Sequence, residues 1–219
     1  MILDKTAELM RLAGRGPVRA RDLDAAKIPR AYLKRATERG VLEHVGRGLY
    51  RLPDAPVTEL HALAEVTKRV PHATICLLSA LQVHGLTTEA PHAVWIMIDT
   101  RARSPKLDTP ALEVVRAHGA ARTHGTSRRR IDGVEVSITT PAKTVADCFR
   151  YRRHAGLDVA LAALRDYLQR GQRPSKRDAS EARHGERDAR RLYTIDALVD
   201  AARADRVYTV IRPYLEALA

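Results

Sequence analysis

Residues 28–52 read IPRAYLKRATERGVLEHVGRGLYRL, and no other stretch constrains the chain as tightly. Leu33, Ala36 and Thr37 share one helical face while Arg30, Lys34 and Arg35 point elsewhere, so the spacing predicts an amphipathic helix opened by Pro29. Gly40 stands where a left-handed residue would end it. Val41 to Val45 and Gly48 to Leu52 then read as two short extended runs about Gly46-Arg47. Upstream, Asp4 to Ala13 carries Ala7, Leu9, Met10 and Ala13 at helical spacing. Gly14, Gly16 and Pro17 break it, and Arg21 to Lys27 forms a second short helix with Leu23 and Ala26 inward. Helix, helix, turn, helix and hairpin in this order predict a winged helix-turn-helix over residues 1–53. Its expected core is Leu9, Leu12, Leu23, Ile28, Leu33, Ala36, Leu42 and Tyr50. A helix of this kind fits the major groove of duplex DNA and a basic wing reaches flanking phosphates. The expected contacts are Arg30, Lys34 and Arg35 on the helix and Arg47 and Arg51 on the wing.

Charge supports that expectation. The chain carries a net +12, and residues 1–53 hold 12 Lys/Arg against 6 Asp/Glu. Residues 101–130 hold 8 against 2, with Arg101, Arg103, Lys106, Arg128, Arg129 and Arg130 forming a possible second basic surface together with the segment 170–191. Excess charge in two blocks predicts attraction to a polyanion, nucleic acid before membrane, since neither block lies on a strongly apolar helix. Aromatic residues are only 4% of the chain, too few for a stacking platform that binds single strands. No run approaches the ~20 apolar residues of a bilayer span. The opening MILDKTAELM lacks a basic region followed by an apolar core, so the protein is expected in the cytoplasm. Cys76 and Cys148 each sit in an apolar run and read as two buried thiols.

Pro53-Asp54-Ala55-Pro56 reads as a linker, which places a second domain at 57–219, mixed α/β to about 150 and helical beyond. Helices are expected over 58–70 and 73–84, strands over 93–98 and 112–116, and a hairpin about Asp132-Gly133. A helix capped by Thr140-Pro141 should follow, then one striped by Leu157, Leu161, Leu164 and Leu168. Residues 171–186 read as a loop or ragged helix, and helices at 195–203 and 207–218 finish the chain. The whole is an α+β protein.

Three blocks resemble the AbiEi antitoxins of type IV toxin–antitoxin systems, in that family's order. They are the wing GVLEHVGRGLYR at 40–51, SALQVHGLT at 79–87, and TPAKTVADC at 140–148, the last with Ala142-Lys143 where relatives tend to carry a glutamate. The resemblance covers residues 1 to about 170. It implies an N-terminal domain that binds inverted repeats in its own promoter and represses the operon. It also implies a C-terminal domain that counters a cognate AbiEii-type nucleotidyltransferase toxin. No catalytic residue is implied, and the protein is expected as a monomer in solution or a dimer on DNA. A solitary regulator whose second domain senses a ligand or dimerises is the alternative.

Catalysis is weighed against the residues themselves. Asp132 and Glu135 beside a hairpin are carboxylates of the type that metal-dependent nucleases use, but no Asp-x-Lys or Glu-x-Lys triplet occurs. They read as a turn residue and an outward strand residue. The toxin's own chemistry wants Gly-Ser and Asp-x-Asp; Gly-Ser is absent, and Asp22 and Asp24 fall in the second helix. Neither cysteine has a second cysteine or a histidine at ligand spacing, so no metal and no cofactor is expected. His84 reads as a helix-end residue tied by the dipole or a core hydrogen bond.

Overall fold

The computed structural model describes residues 2–46, 48–54, 60–173 and 192–218 of a mixed α+β chain. It divides into two compact units, Met1–Pro71 with Arg129–Val136, and His72–Arg128 with Ser137–Ala219. These units differ from the expected 1–53 and 57–219. The helix after the linker region and the tip of the Asp132-Gly133 hairpin pack with the N-terminal unit, because both bring contacts that residues 1–53 lack on their own.

The N-terminal unit holds α1 (Ile2–Ala13), β1 (Val18–Arg19), α2 (Ala20–Ala25), α3 (Ala31–Glu38), β2 (Glu43–Gly46), β3 (Leu49–Arg51) and α4 (His61–Arg69). Leu9, Ala13, Val18, Leu23, Ile28, Leu33, Ala36 and Leu42 form its buried core, with Leu12 and Tyr50 packed at the margin. Six of the eight sequence-predicted core side chains are thus buried, Leu9, Leu23, Leu33 and Ala36 of them placed by helical period; Val18 was missed because it belongs to a two-residue strand. That strand pairs Val18 with Tyr50 and Arg19 with Leu49, making the expected two-stranded wing a three-stranded antiparallel sheet of order β1-β3-β2. α3 opens at Ala31 rather than Pro29, with Pro29 and Arg30 in the preceding turn, where their carbonyls accept from Tyr32 and Leu33. It ends on Gly40 at φ 69°: the Gly40 N–H donates to Thr37 and the Val41 N–H to Ala36, so two terminal carbonyls are satisfied by a left-handed glycine. That closure draws Val41 and Leu42 out of β2.

The hairpin tip carries Asp132 at φ 44° and Gly133 at φ 73°, the two successive positive angles of a tight two-residue turn. Glycine is required at 133 for a second reason, since a Cβ there would overlap the backbone carbonyl of Arg15. Asp132 accepts from His61 Nδ1 at 2.9 Å, which accounts for the carboxylate as a structural group of the turn.

The second unit is built on a five-stranded sheet of order β6-β5-β4-β8-β7, from β4 (Thr74–Ile75), β5 (Val94–Asp99), β6 (Leu112–Ala117), β7 (Thr126–Ile131) and β8 (Val134–Thr139). Residues 74–75 were expected to begin a helix. They are instead the central strand, Ile75 facing Ile96 on one side and Ile138 on the other, and a run apolar all round suits a strand buried on both faces. Helix α5 starts only at Leu77 and runs to His84, whose Nε2 donates to the Thr139 carbonyl at 2.7 Å. Short α6 (Ala120–Thr123) joins β6 to β7, and α7 (Pro141–Arg150), α8 (Arg152–Ala155), α9 (Leu157–Gln172), α10 (Ile195–Ala204) and α11 (Tyr208–Leu218) complete the unit. The Thr140 hydroxyl caps α7 by accepting from the Lys143 N–H, with Pro141 in the first turn, as the sequence predicts. The inward face of α9 is Ala160, Ala163, Leu164 and Tyr167, while Leu157 is 40% exposed. The expected leucine stripe is therefore displaced toward the alanines, whose small side chains suit close packing on α7. Cys76 and Cys148 are buried free thiols. Of the loop or ragged helix expected over 171–186, residues 174–186 lie outside the described residues.

Candidate nucleic-acid interface

Helix α3 buries Leu33 and Ala36 and leaves Ala31, Lys34, Arg35 and Glu38 exposed, followed by exposed Arg39. Spacings of three and four put these residues on one face. Lys34 lies 3.8 Å from Glu38, one turn along, and both are well exposed, so that pair holds Lys34 loosely. The Arg35 guanidinium lies 5.9 Å from the centre of the Tyr32 ring. Among the described residues neither Arg35 nor Arg39 has a carboxylate partner. Arg39 escaped the sequence reading because it follows the last helical residue, although it stands four positions after Arg35.

The other predicted contacts are engaged within the unit. Arg30 reaches back to Asp24 with two hydrogen bonds, Nε to Oδ1 at 3.0 Å and Nη2 to Oδ2 at 2.6 Å, and remains 67% exposed. The shared hydrogen bond holds the Asp24 carboxyl below its ordinary range and raises the Arg30 guanidinium. Arg51 faces Glu43 across the β2–β3 ladder and forms an ion pair with it, half-buried. Arg47 lies outside the described residues. Lys34 and Arg35 are therefore brought together on one open face, Arg30 stands at the start of the same helix, and Arg51 sits on the sheet.

Behind α3, Asp22 ties the unit together: its carboxylate accepts from the Arg19 backbone N–H at 2.8 Å and from Lys68 Nζ at 2.7 Å, while the Arg19 and Arg21 guanidiniums donate to the Lys68 carbonyl.

The residues of the second basic block stand on different elements. Arg101, Arg103 and Lys106 are exposed in the connection from β5 to β6, which Arg116 braces by donating to the carbonyls of Asp99, Thr100 and Ala102 at 3.2, 3.1 and 2.7 Å. Arg128, Arg129 and Arg130 lie on β7, and β6 and β7 are the opposite edges of the sheet. Arg129 and Arg130 belong to the N-terminal unit, Arg101, Arg103 and Lys106 to the other. Proximity in sequence misled because a crossover separates the two groups. Of the segment 170–191, residues 174–191 lie outside the described residues.

One cluster in the second unit was not legible in the sequence. Lys143, Asp147 and Asp205 are 0%, 0% and 1% exposed. Lys143 Nζ donates to Asp147 and, at 2.9 and 3.0 Å, to both oxygens of Asp205. Burial pulls the lysine down, but the two carboxylates outweigh it and raise it above its ordinary value. Burial pushes Asp147 well above the carboxylate range and raises Asp205 as well. Lys143 and Asp147 stand four apart on α7, a spacing that by itself marks no core group; the packing of α10 over them, which brings Asp205, makes them one. Among the described residues no group of three or more His, Cys, Asp or Glu is placed to hold a metal ion. No helix there is long and apolar enough to cross a membrane.

The N-terminal unit is thus of the helix-turn-helix type, with a small antiparallel sheet and an open, cation-bearing third helix. Residues 8–53 match the family described as transcriptional regulator, AbiEi antitoxin, so the resemblance read from the sequence holds over this unit. A solved structure, the RV2827C protein from Mycobacterium tuberculosis, is similar over 97% of this chain and 81% of that one, with a TM-score of 0.54 at 13% identity, a likeness of fold. No curated protein sequence matches the chain.

Proposed function

We propose that this chain is a DNA-binding transcriptional repressor that also serves as the antitoxin of a toxin–antitoxin pair. The observation that carries the reading is the open face of α3, with Lys34 and Arg35 on a unit that matches AbiEi regulators over residues 8–53. α3 lies in the major groove, where Arg30, Lys34 and Arg35 meet base edges and phosphates, and the β2–β3 hairpin acts as a wing that brings Arg47 and Arg51 to the flanking backbone. The operator is an inverted repeat in the chain's own promoter, occupied by two copies, since one small domain on one half-site binds weakly. The second unit counters a nucleotidyltransferase toxin encoded beside it. The work is done in the cytoplasm, and neither task needs a catalytic residue.

Fluorescence anisotropy of the full chain on its upstream DNA against a shuffled duplex tests the first half. Tighter binding to the upstream sequence supports it, and equal binding to both rejects operator recognition. Co-expression of the chain with the neighbouring toxin tests the second half: restored growth supports an antitoxin, and continued arrest with soluble chain present leaves a solitary regulator.

A further inference from the structure

In the second unit a cavity of about 120 Å³ opens between the turn after β6 and the end of α10, lined by His118, residues 119–121, Arg150 and Arg206. None of the described residues lining it is acidic. Neither arginine closes an ion pair with a carboxylate among the described residues, Arg150 meeting Asp205 through its carbonyl. The two arginines line one small cavity that holds no carboxylate of its own, the Asp205 carboxylate acting on Arg150 from outside the lining, and a positive lining of this kind attracts an anion.

Both arginines are held in place. Arg150 Nη1 donates to the Asp205 carbonyl at 2.7 Å. The Asp205 side chain is gripped from within by Lys143, at 2.9 and 3.0 Å. Arg206 follows with φ 59°, a left-handed conformation that costs a residue with a Cβ and persists only where its surroundings impose it. The buried lysine thus sets the position of the residue that carries Arg206 to the cavity mouth. The cavity has room for a group the size of a tetrahedral oxyanion. Guanidinium forks match the oxygens of such a group.

We propose that this cavity binds a phosphate group, either free inorganic phosphate or the monoester head of a nucleotide whose remainder lies outside. The site is separate from α3 and stands whether or not the chain binds DNA.

The test is a titration of the full chain with inorganic phosphate, read by the amide resonances of residues 118–121. Saturable shifts centred there are expected, weakened about tenfold or more by Arg206→Ala, which removes one charge-assisted contact from an exposed position. Arg165→Ala, which removes an exposed charge from α9 away from the cavity, is expected to leave binding unchanged. A nucleoside 5′-monophosphate competing for the same amides at least tenfold more tightly than phosphate assigns the site to a nucleotide, and equal strength assigns it to the free anion. Shifts that never saturate, or equal weakening by the two substitutions, mean general attraction to a basic protein and overturn the site.

Discussion

Arg30 and Asp24 close a two-pronged ion pair, Nε to Oδ1 and Nη2 to Oδ2, across the turn between α2 and α3. The arginine at the head of α3, the helix proposed to enter the groove, is thereby occupied by its own chain, and a DNA phosphate would have to compete with Asp24 for it. Asp24→Asn removes that competitor and one negative charge from the face. The expected outcome is tighter binding to any duplex, with log K against log salt steeper by about 0.9, the increment for one further phosphate contact. Anisotropy over a range of salt measures it; an unchanged slope would mean that Arg30 does not meet the backbone.

The open face of α3 separates reading from positioning. Arg35→Ala leaves the buried face of Leu33 and Ala36 untouched and should fold normally. If its guanidinium reads a base, operator binding falls by about 1–3 kcal/mol while random DNA is little affected. Replacing Arg30, Lys34, Arg35, Arg47 and Arg51 together should flatten the salt slope by about 3.6, four contacts at about 0.9 each, since Asp24 already holds Arg30. Full operator affinity after all five changes would remove the interface from α3 and the wing.

Two glycines with nearly equal angles should differ in what they tolerate. Gly40 has φ 69° with open space where a Cβ would stand, and Gly133 has φ 73° with the Arg15 carbonyl in that space. Gly40→Ala should cost about 1–2 kcal/mol, the left-handed penalty alone. Gly133→Ala adds a backbone clash and should cost clearly more, lowering the denaturation midpoint of the N-terminal unit further. Equal losses would show that the hairpin tip can withdraw from Arg15 at little cost.

How far the sequence reached follows from which contacts are local. Helical period placed Leu9, Leu23, Leu33 and Ala36 in the core, and Asp132-Gly133 and Thr140-Pro141 marked their turn and cap, because each rests on residues within one or two turns of chain. The two-residue strands Val18–Arg19 and Thr74–Ile75 were invisible, since pairing with partners 20 or more residues away creates them and no period fits in two residues. At the interface, which residues face outward was legible for Lys34 and Arg35. That Arg30 and Arg51 are spoken for by Asp24 and Glu43 was not, since a loop angle and a strand register decide it.

Lys143 sits between two aspartates that burial has raised above their ordinary range, which fixes the sign of the pH dependence. A carboxyl whose folded pKa is raised stabilises the fold below its unfolded value near 3.8, and that contribution is lost as pH rises through the folded value. Lys143, raised above 10.5, contributes fully below that pH and loses it only at higher alkalinity. Between these limits ionising Asp147 costs the fold, and a neutral residue in its place removes that cost. Asp147→Asn is the choice, because Asp147 Oδ2 is buried without a hydrogen-bond partner in the structure. This variant should be close to wild type at pH 5 and gain on it as pH rises to 8. Lys143→Met removes the only cation of the cluster and should cost about 3–5 kcal/mol near neutral pH, the penalty for stranding buried charge. Denaturant unfolding of the three proteins across that pH range decides it: a wild type that gains on Asp147→Asn with rising pH would mean that both aspartates are ionised in the fold and that Lys143 compensates them fully.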